Sequence, residues 1–119
     1  MQEQFSRDWE KSMDTDNYEV VVTDMAREEL EEIYDYIFNN LYNKTAADNL
    51  MNKIEHAIFS LEENPYKCVE VHIKQNDDIY RKLVVGNYIV LYNIDNEYKQ
   101  IIIYRVIYGR RNYLKIIEE

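Results

Sequence analysis

Cysteine is nearly missing from this 119-residue chain: Cys68 stands alone, so no disulfide framework holds the fold together. Proline occurs once and glycine twice, which leaves little material for linkers. That scarcity fits a single domain, read as residues 18–119, behind a polar extension over residues 1–17 that reflects either disorder or an upstream start codon. No apolar run approaches the roughly 20 residues a membrane-spanning helix needs, and no charged-then-apolar leader opens the sequence. The expectation is a soluble, unsecreted protein of the reducing cytoplasm. Histidine is equally scarce, at two. Cys and His show no zinc-like spacing, and neither a phosphate-cradling glycine loop nor a nucleophile elbow is present. No metal or cofactor is therefore expected.

What the chain has in abundance is negative charge, with 23 Asp and Glu against 14 Lys and Arg, a formal net of −9. At face value that excludes a polyanion-binding protein. The distribution corrects the total. Residues 1–79 carry 7 basic and 19 acidic side chains, net −12, whereas residues 80–119 carry 7 basic and 4 acidic, net +3. Such asymmetry between halves points to one anion-facing surface at the C-terminal side.

Hydrophobic periodicity sets the order of elements. Tyr18 to Thr23 is β-branched and aromatic and reads as a strand, with Thr23 or Asp24 placed to cap a following helix. From Met25 to Leu41 the residues Met25, Ala26, Leu30, Ile33, Tyr34, Ile37, Phe38 and Leu41 keep three-to-four spacing, and the acids between them read as a solvated face. Thr45, with Asp48 three residues on, opens a second helix in a capping-box-like arrangement. Its stripe is Ala46, Ala47, Leu50, Met51, Ile54, Ala57, Ile58 and Leu61, and Asn64-Pro65 ends it. The remainder reads as strands: Val69 to Ile73, Tyr80 to Val85, Tyr88 to Ile94 and Tyr98 to Tyr108, joined by Gly86-Asn87 and by Asp95-Asn96-Glu97. The predicted class is α+β: a strand, an antiparallel helical hairpin, then a three- to four-stranded antiparallel meander. In Tyr98 to Tyr108 both parities are apolar, which leaves one sheet face for the C-terminal segment or a partner chain.

Few side chains suggest chemistry. His56 falls near the apolar stripe of the second helix, and Cys68 reads as a small packing residue. Glu70 and His72, two apart on a strand, share a face and form a conceivable general-base pair. The sharper feature is basic: Arg81, Lys82, Arg105, Arg110, Arg111 and Lys115, with Tyr113 among them. Arginine offers a planar fork suited to phosphate or carboxylate, and tyrosine a stacking plane with a hydroxyl. The competing reading pairs Arg81 and Arg105 with the acidic helices.

Several segments in order carry a resemblance. They are Tyr18 to Thr23, Ala26-Arg27-Glu28-Glu29-Leu30-Glu31-Glu32-Ile33-Tyr34-Asp35-Tyr36-Ile37, and Ser60-Leu61-Glu62-Glu63-Asn64-Pro65. Tyr80-Arg81-Lys82-Leu83-Val84-Val85-Gly86-Asn87-Tyr88 and Arg105-Val106-Ile107-Tyr108-Gly109-Arg110-Arg111-Asn112-Tyr113 follow. Together they resemble the toxin family of bacterial type II toxin–antitoxin modules that groups RelE and ParE, over about Tyr18 to Ile117. The resemblance implies the fold just described and a growth-inhibiting toxin neutralised by a cognate antitoxin in a hetero-oligomer, with DNA gyrase (ParE-like) or the ribosome with its mRNA (RelE-like) as target.

The RelE-like branch implies a metal-independent mRNA endonuclease, with Lys82, Arg105, Arg111 and Tyr113 as its catalytic residues and His72 as an alternative acid or base. Lys82 and Arg111 match nuclease positions, but Ile89 fills that of the arginine after the glycine turn and Ile117 that of the late tyrosine. Where related members place a C-terminal histidine, Tyr108 or Tyr113 stands. Gly109-Arg110-Arg111-Asn112 resembles instead the ParE-like glycine, arginine, acid ending, with Asn112 for the acid. The expectation therefore tilts to gyrase inhibition, with Arg81, Arg105, Arg110, Arg111, Tyr113 and Lys115 binding target or antitoxin. The nuclease and a degenerate toxin that only binds antitoxin are the alternatives.

Overall fold

The computed structural model describes residues 18–40, 42–72 and 79–109. Alternation in the first strand, β1 (Glu19–Val22), turns Val20 and Val22 into the core. Thr23 then starts the first helix, α1 (Asp24–Asn40): its Oγ1 accepts the Ala26 N–H at 3.2 Å and donates to the Tyr104 carbonyl at 3.2 Å. Cap and strand are thereby tied together. A left-handed Tyr42 (φ 49°) lies in the short link to α2 (Lys44–Phe59). The cap of α2 differs from the Thr45 expectation, since Asn43 Oδ1 accepts the Ala46 N–H at 2.9 Å. Asp48 is otherwise engaged, receiving Lys44 Nζ at 2.7 Å and the Tyr34 hydroxyl at 2.9 Å. The last contact joins the second half of α1 to the first half of α2, as an antiparallel hairpin requires.

After a 3₁₀ turn at Ser60–Glu62, the chain enters β2 (Glu70–His72), β3 (Ile79–Val85), β4 (Tyr88–Asp95) and β5 (Gln100–Tyr108). Gly86, at φ +59°, takes the first turn position between β3 and β4, a conformation costly for any residue with a Cβ. Asp95 shapes the next connection, its Oδ1 accepting the N–H groups of Glu97 (3.0 Å) and Tyr98 (3.2 Å). The turn therefore runs to Lys99, and β5 begins at Gln100, two residues later than the pattern suggested.

The sheet order is β1-β5-β4-β3-β2. The four later strands form the expected antiparallel meander, and β1 joins its edge parallel to β5, with Val20 beside Ile101 and Val22 beside Ile103. The helices cover one face, where Leu30, Ile54, Ile58 and Leu61 meet Val90, Tyr92, Ile101 and Ile103 in the main core.

The second face is explained by a bulge. Across β4, Leu91 pairs with Arg105 while Tyr92 pairs with Ile103, which makes Tyr104 an extra residue in β5. The bulge reverses parity, so that Ile101, Ile103 and Val106 all join the helical core and Ile107 joins Ile89 and Leu91 in a separate buried cluster. The alternation of Tyr98 to Tyr108 is thus interrupted at Tyr104, contrary to the uninterrupted pattern expected from the sequence.

Candidate functional site

Of the basic residues singled out by the sequence, Arg81, Lys82 and Arg105 lie among the described residues, and Arg81 and Arg105 are each held by partners within the chain. Arg105 lies at the bulge, and a single carboxylate from α1 holds it. Glu29 Oε2 accepts from Arg105 Nε at 3.0 Å and from Nη2 at 2.8 Å, while Glu29 Oε1 accepts the Val106 N–H at 2.8 Å. Both side chains are largely sheltered, at 26% and 19% exposure, where a charge-assisted pair is screened less than on the surface. This is the pairing with the acidic helices that the sequence allowed.

Arg81 on β3 is held differently. It donates to the Cys68 carbonyl at 2.6 Å, the Tyr66 carbonyl at 3.4 Å and Glu70 Oε2 at 3.2 Å, with its guanidinium 4.9 Å from the Tyr66 ring centre. Its acid belongs to β2 and not to a helix, so Arg81 staples the loop before β2 to the sheet. Lys82 faces Leu91 on β4, and Leu91 faces Arg105, so Lys82 and Arg105 flank Leu91 in one row about 10 Å apart by strand spacing. Arg110, Arg111, Tyr113 and Lys115 lie outside the described residues, as does Ile117.

The Glu70–His72 pair does form, with His72 Nε2 3.5 Å from Glu70 Oε1 on an exposed edge, and Glu70 shares its other oxygen with Arg81. His56 is exposed and Cys68 half-buried. Among the described residues, no three His, Cys, Asp or Glu side chains are grouped to hold a metal ion.

Two features escaped sequence reasoning. Glu29 was absorbed into the acidic run, although it falls three residues after Ala26 and four before Ile33, at the margin of the apolar stripe. Tyr92 is fully buried, and its hydroxyl donates to the Pro65 carbonyl at 2.7 Å, fixing the loop that in turn holds Arg81. Burial pushes the Tyr92 phenol well above its ordinary range. At the opposite end of the sheet, Tyr88 and Tyr108 pack with ring centres 5.3 Å apart. Burial first, then the neighbouring Tyr108 and Tyr36 phenols, raises the Tyr88 pKa. Gly109, at φ +87°, closes the described chain with its N–H on the Asn87 carbonyl at 2.9 Å.

This geometry stands beside three comparisons. The model for the ParE toxin of the type II toxin–antitoxin system parDE matches residues 20–113. No curated protein sequence matches the chain. Among solved structures, the chromosomal ParDE toxin–antitoxin system of P. aeruginosa is similar at TM-score 0.61 and 17% identity, covering 76% of this chain and 94% of that one. The RelBE2 toxin–antitoxin complex of Mycobacterium tuberculosis is similar at TM-score 0.54 and 22% identity, covering 77% of this chain and 98% of that one. At such identities these two likenesses speak to fold alone, whereas the family model spans most of the chain. The bulged five-stranded sheet under a helical hairpin is thus that of a RelE/ParE toxin, and the chain belongs to the ParE toxin family as the toxin component of a type II toxin–antitoxin system.

Proposed function

We propose that this toxin inhibits growth by binding DNA gyrase, through the basic segment that follows β5, and not by cutting mRNA on the ribosome. The observation that carries this reading is Ile89. It occupies the position where the RelE-like nuclease pattern calls for an arginine after the glycine turn, and it is 1% exposed, packed with Leu91 and Ile107. An aliphatic side chain in that place stabilises no phosphate charge and transfers no proton. Arg105, the other candidate on the neighbouring strand, already has its charge matched by Glu29.

Target contact then falls to Arg110, Arg111, Tyr113 and Lys115, a run whose forks and phenol suit the carboxylates of a protein partner or the phosphates of its DNA. A type II toxin has a cognate antitoxin as partner, and acidic side chains on that antitoxin would neutralise the same run. The test adds purified toxin to gyrase supercoiling reactions and, in parallel, to ribosomes translating a defined mRNA. Supercoiling falls and the mRNA stays whole under this reading. Codon-located cuts with unaffected supercoiling would overturn it, and Arg111→Ala would then be expected to abolish cleavage. Toxin that slows neither reaction, and whose induction without antitoxin leaves growth intact, would point to a degenerate antitoxin-binding protein.

A further inference from the structure

The five-stranded sheet ends in two outer strands that differ in exposure. β1 is the buried one: Val20 is 0% and Val22 6% exposed, and the Tyr18 N–H donates to the Glu62 carbonyl at 3.4 Å. β2, at the other end of the order β1-β5-β4-β3-β2, lies open, with Val69, Glu70 and His72 all exposed. The ladder to β3 fixes which main-chain groups face outward there. The Lys82 N–H donates to the Val69 carbonyl at 3.1 Å, and the register continues as Glu70 with Arg81, Val71 with Tyr80 and His72 with Ile79. Bonded and non-bonded pairs alternate along an antiparallel ladder. Val69 and Val71 therefore turn their main-chain groups to β3, whereas the N–H and C=O of Glu70 and of His72 point to the free edge. Such a row is a template for a further strand. The shortness and charge of β2 deter an arbitrary apolar strand, but Glu70-Val71-His72 complements its own reverse, with an acid and a base on either side of a valine.

We propose that the β2 edge docks on the β2 edge of a second copy of this chain, antiparallel about a two-fold axis at Val71. Glu70 then lies opposite the partner's His72, and His72 opposite the partner's Glu70. Each of these two pairs exchanges an N–H to C=O bond in both directions, four bonds in all, and sets a carboxylate beside an imidazole. The two side chains attract one another within a single chain as well, His72 Nε2 lying 3.5 Å from Glu70 Oε1, while Arg81 holds the other Glu70 oxygen at 3.2 Å. The contact is isologous: both open edges are consumed and association stops at two copies. With only three residues pairing on each side the dimer is weak, its Kd in the range of about 0.1–1 mM. It is independent of the target on which the toxin acts.

The experiment measures sedimentation equilibrium of the full chain up to about 1 mM, together with amide hydrogen exchange residue by residue in dilute and concentrated protein. Exchange at the outward N–H groups of Glu70 and His72 should slow about two- to fivefold on concentration, with Val90 in the middle of the sheet unchanged. His72→Pro removes one outward donor and leaves the ladder to β3 intact, since proline is tolerated on an edge strand where its N–H would face solvent, and it should weaken association at least about tenfold. Glu70→Lys, which sets a lysine opposite the partner's His72, should weaken it about three- to thirtyfold, and adding His72→Glu should bring it back to within about threefold of the parent. Both lysine variants lack the Glu70–Arg81 pair, so the difference between them belongs to the contact between copies. A chain that stays monomeric at the highest concentration overturns the proposal. So does a dimer that forms equally well with His72→Pro and leaves the two amides unprotected. Should the proline variant not fold, equal association of Glu70→Lys with and without His72→Glu has the same force. If the parent is monomeric and these amides slow only when purified antitoxin is added, the edge belongs to the antitoxin and the contact between copies is refuted.

Discussion

Replacing Tyr92 by Phe removes one oxygen from the centre of the molecule and tests how the loop before β2 is held. The phenol is 0% exposed and its hydroxyl donates to the Pro65 carbonyl at 2.7 Å. The ring of Phe fills the same space, so no cavity opens, and the loss is the hydrogen bond together with a carbonyl left without its donor, about 1–3 kcal/mol at neutral pH. Urea unfolding reads this directly: with a slope of about 1–2 kcal/mol per M for a small domain, the midpoint should fall by roughly 1 M. The same pair of proteins carries a second signature in alkali. Folding raises the Tyr92 pKa above its unfolded value, chiefly by burial. Its contribution is therefore complete below about pH 10 and is lost as pH rises past the unfolded phenol's range, by up to about 1.4 kcal/mol per pH unit. The parent should lose stability more steeply than Tyr92→Phe between pH 10 and 11 on the scale of an ordinary phenol's titration, and the gap between them should close. Tyr18, Tyr34 and Tyr88 are common to both proteins and cancel in the difference. Equal midpoints at pH 7, or parallel alkaline slopes, would refute the assignment of this hydroxyl to the Pro65 carbonyl.

Three further outcomes follow from the same geometry. Leu30→Ala, at a fully buried position in the main core, should cost about 2–5 kcal/mol and lower the thermal midpoint accordingly; a loss under 1 kcal/mol on that scale would mean α1 is not packed on the sheet as described. Gly86→Ala should cost about 1–2 kcal/mol in urea unfolding through its φ of +59° alone, since the nearest atom to an added Cβ is Lys53 Nζ at 4.0 Å. Asp48→Asn should flatten the acid limb of the stability profile: hydrogen bonds from Lys44 and then Tyr34 lower the Asp48 pKa, so its contribution is present above the unfolded carboxylate range and lost as pH falls through the folded value. An unchanged acid limb in thermal scans from pH 6 downward would contradict that.

How much of this was legible in the sequence depends on whether the signal is local. The helical stripes translate directly into Ala26, Leu30, Ala47, Met51, Ile54 and Ile58 as buried residues, because a 3.6-residue period is written within each segment. The hairpin at Gly86-Asn87 is equally local. The parallel docking of β1 on β5 is not, since it joins residues some eighty positions apart and nothing near either strand encodes it. The bulge hid for a different reason: Ile101, Ile102, Ile103, Val106 and Ile107 are apolar on both parities, so an added residue disturbs no visible alternation. Charge totals along the chain do not say which carboxylate pairs with which arginine. Glu29 is chemically identical to Glu28 and Glu32 in the text of the sequence, and only its angle on the helix separates a carboxylate bonded to Arg105 and Val106 from exposed ones. Of the competing pairing with the acidic helices, Arg105 follows it through Glu29, whereas Arg81 meets Glu70 on β2 and the Cys68 carbonyl, partners that its charge alone does not specify.

The central claim, that this ParE-family toxin acts on gyrase and not on mRNA, is tested most directly inside cells. Toxin is induced without antitoxin, and plasmid topology and mRNA 5′ ends are read from the same culture before growth stops. Progressive loss of negative supercoiling with no new mRNA ends at codon positions is the expected result. Fully supercoiled plasmid beside a ladder of codon-located cuts would contradict it.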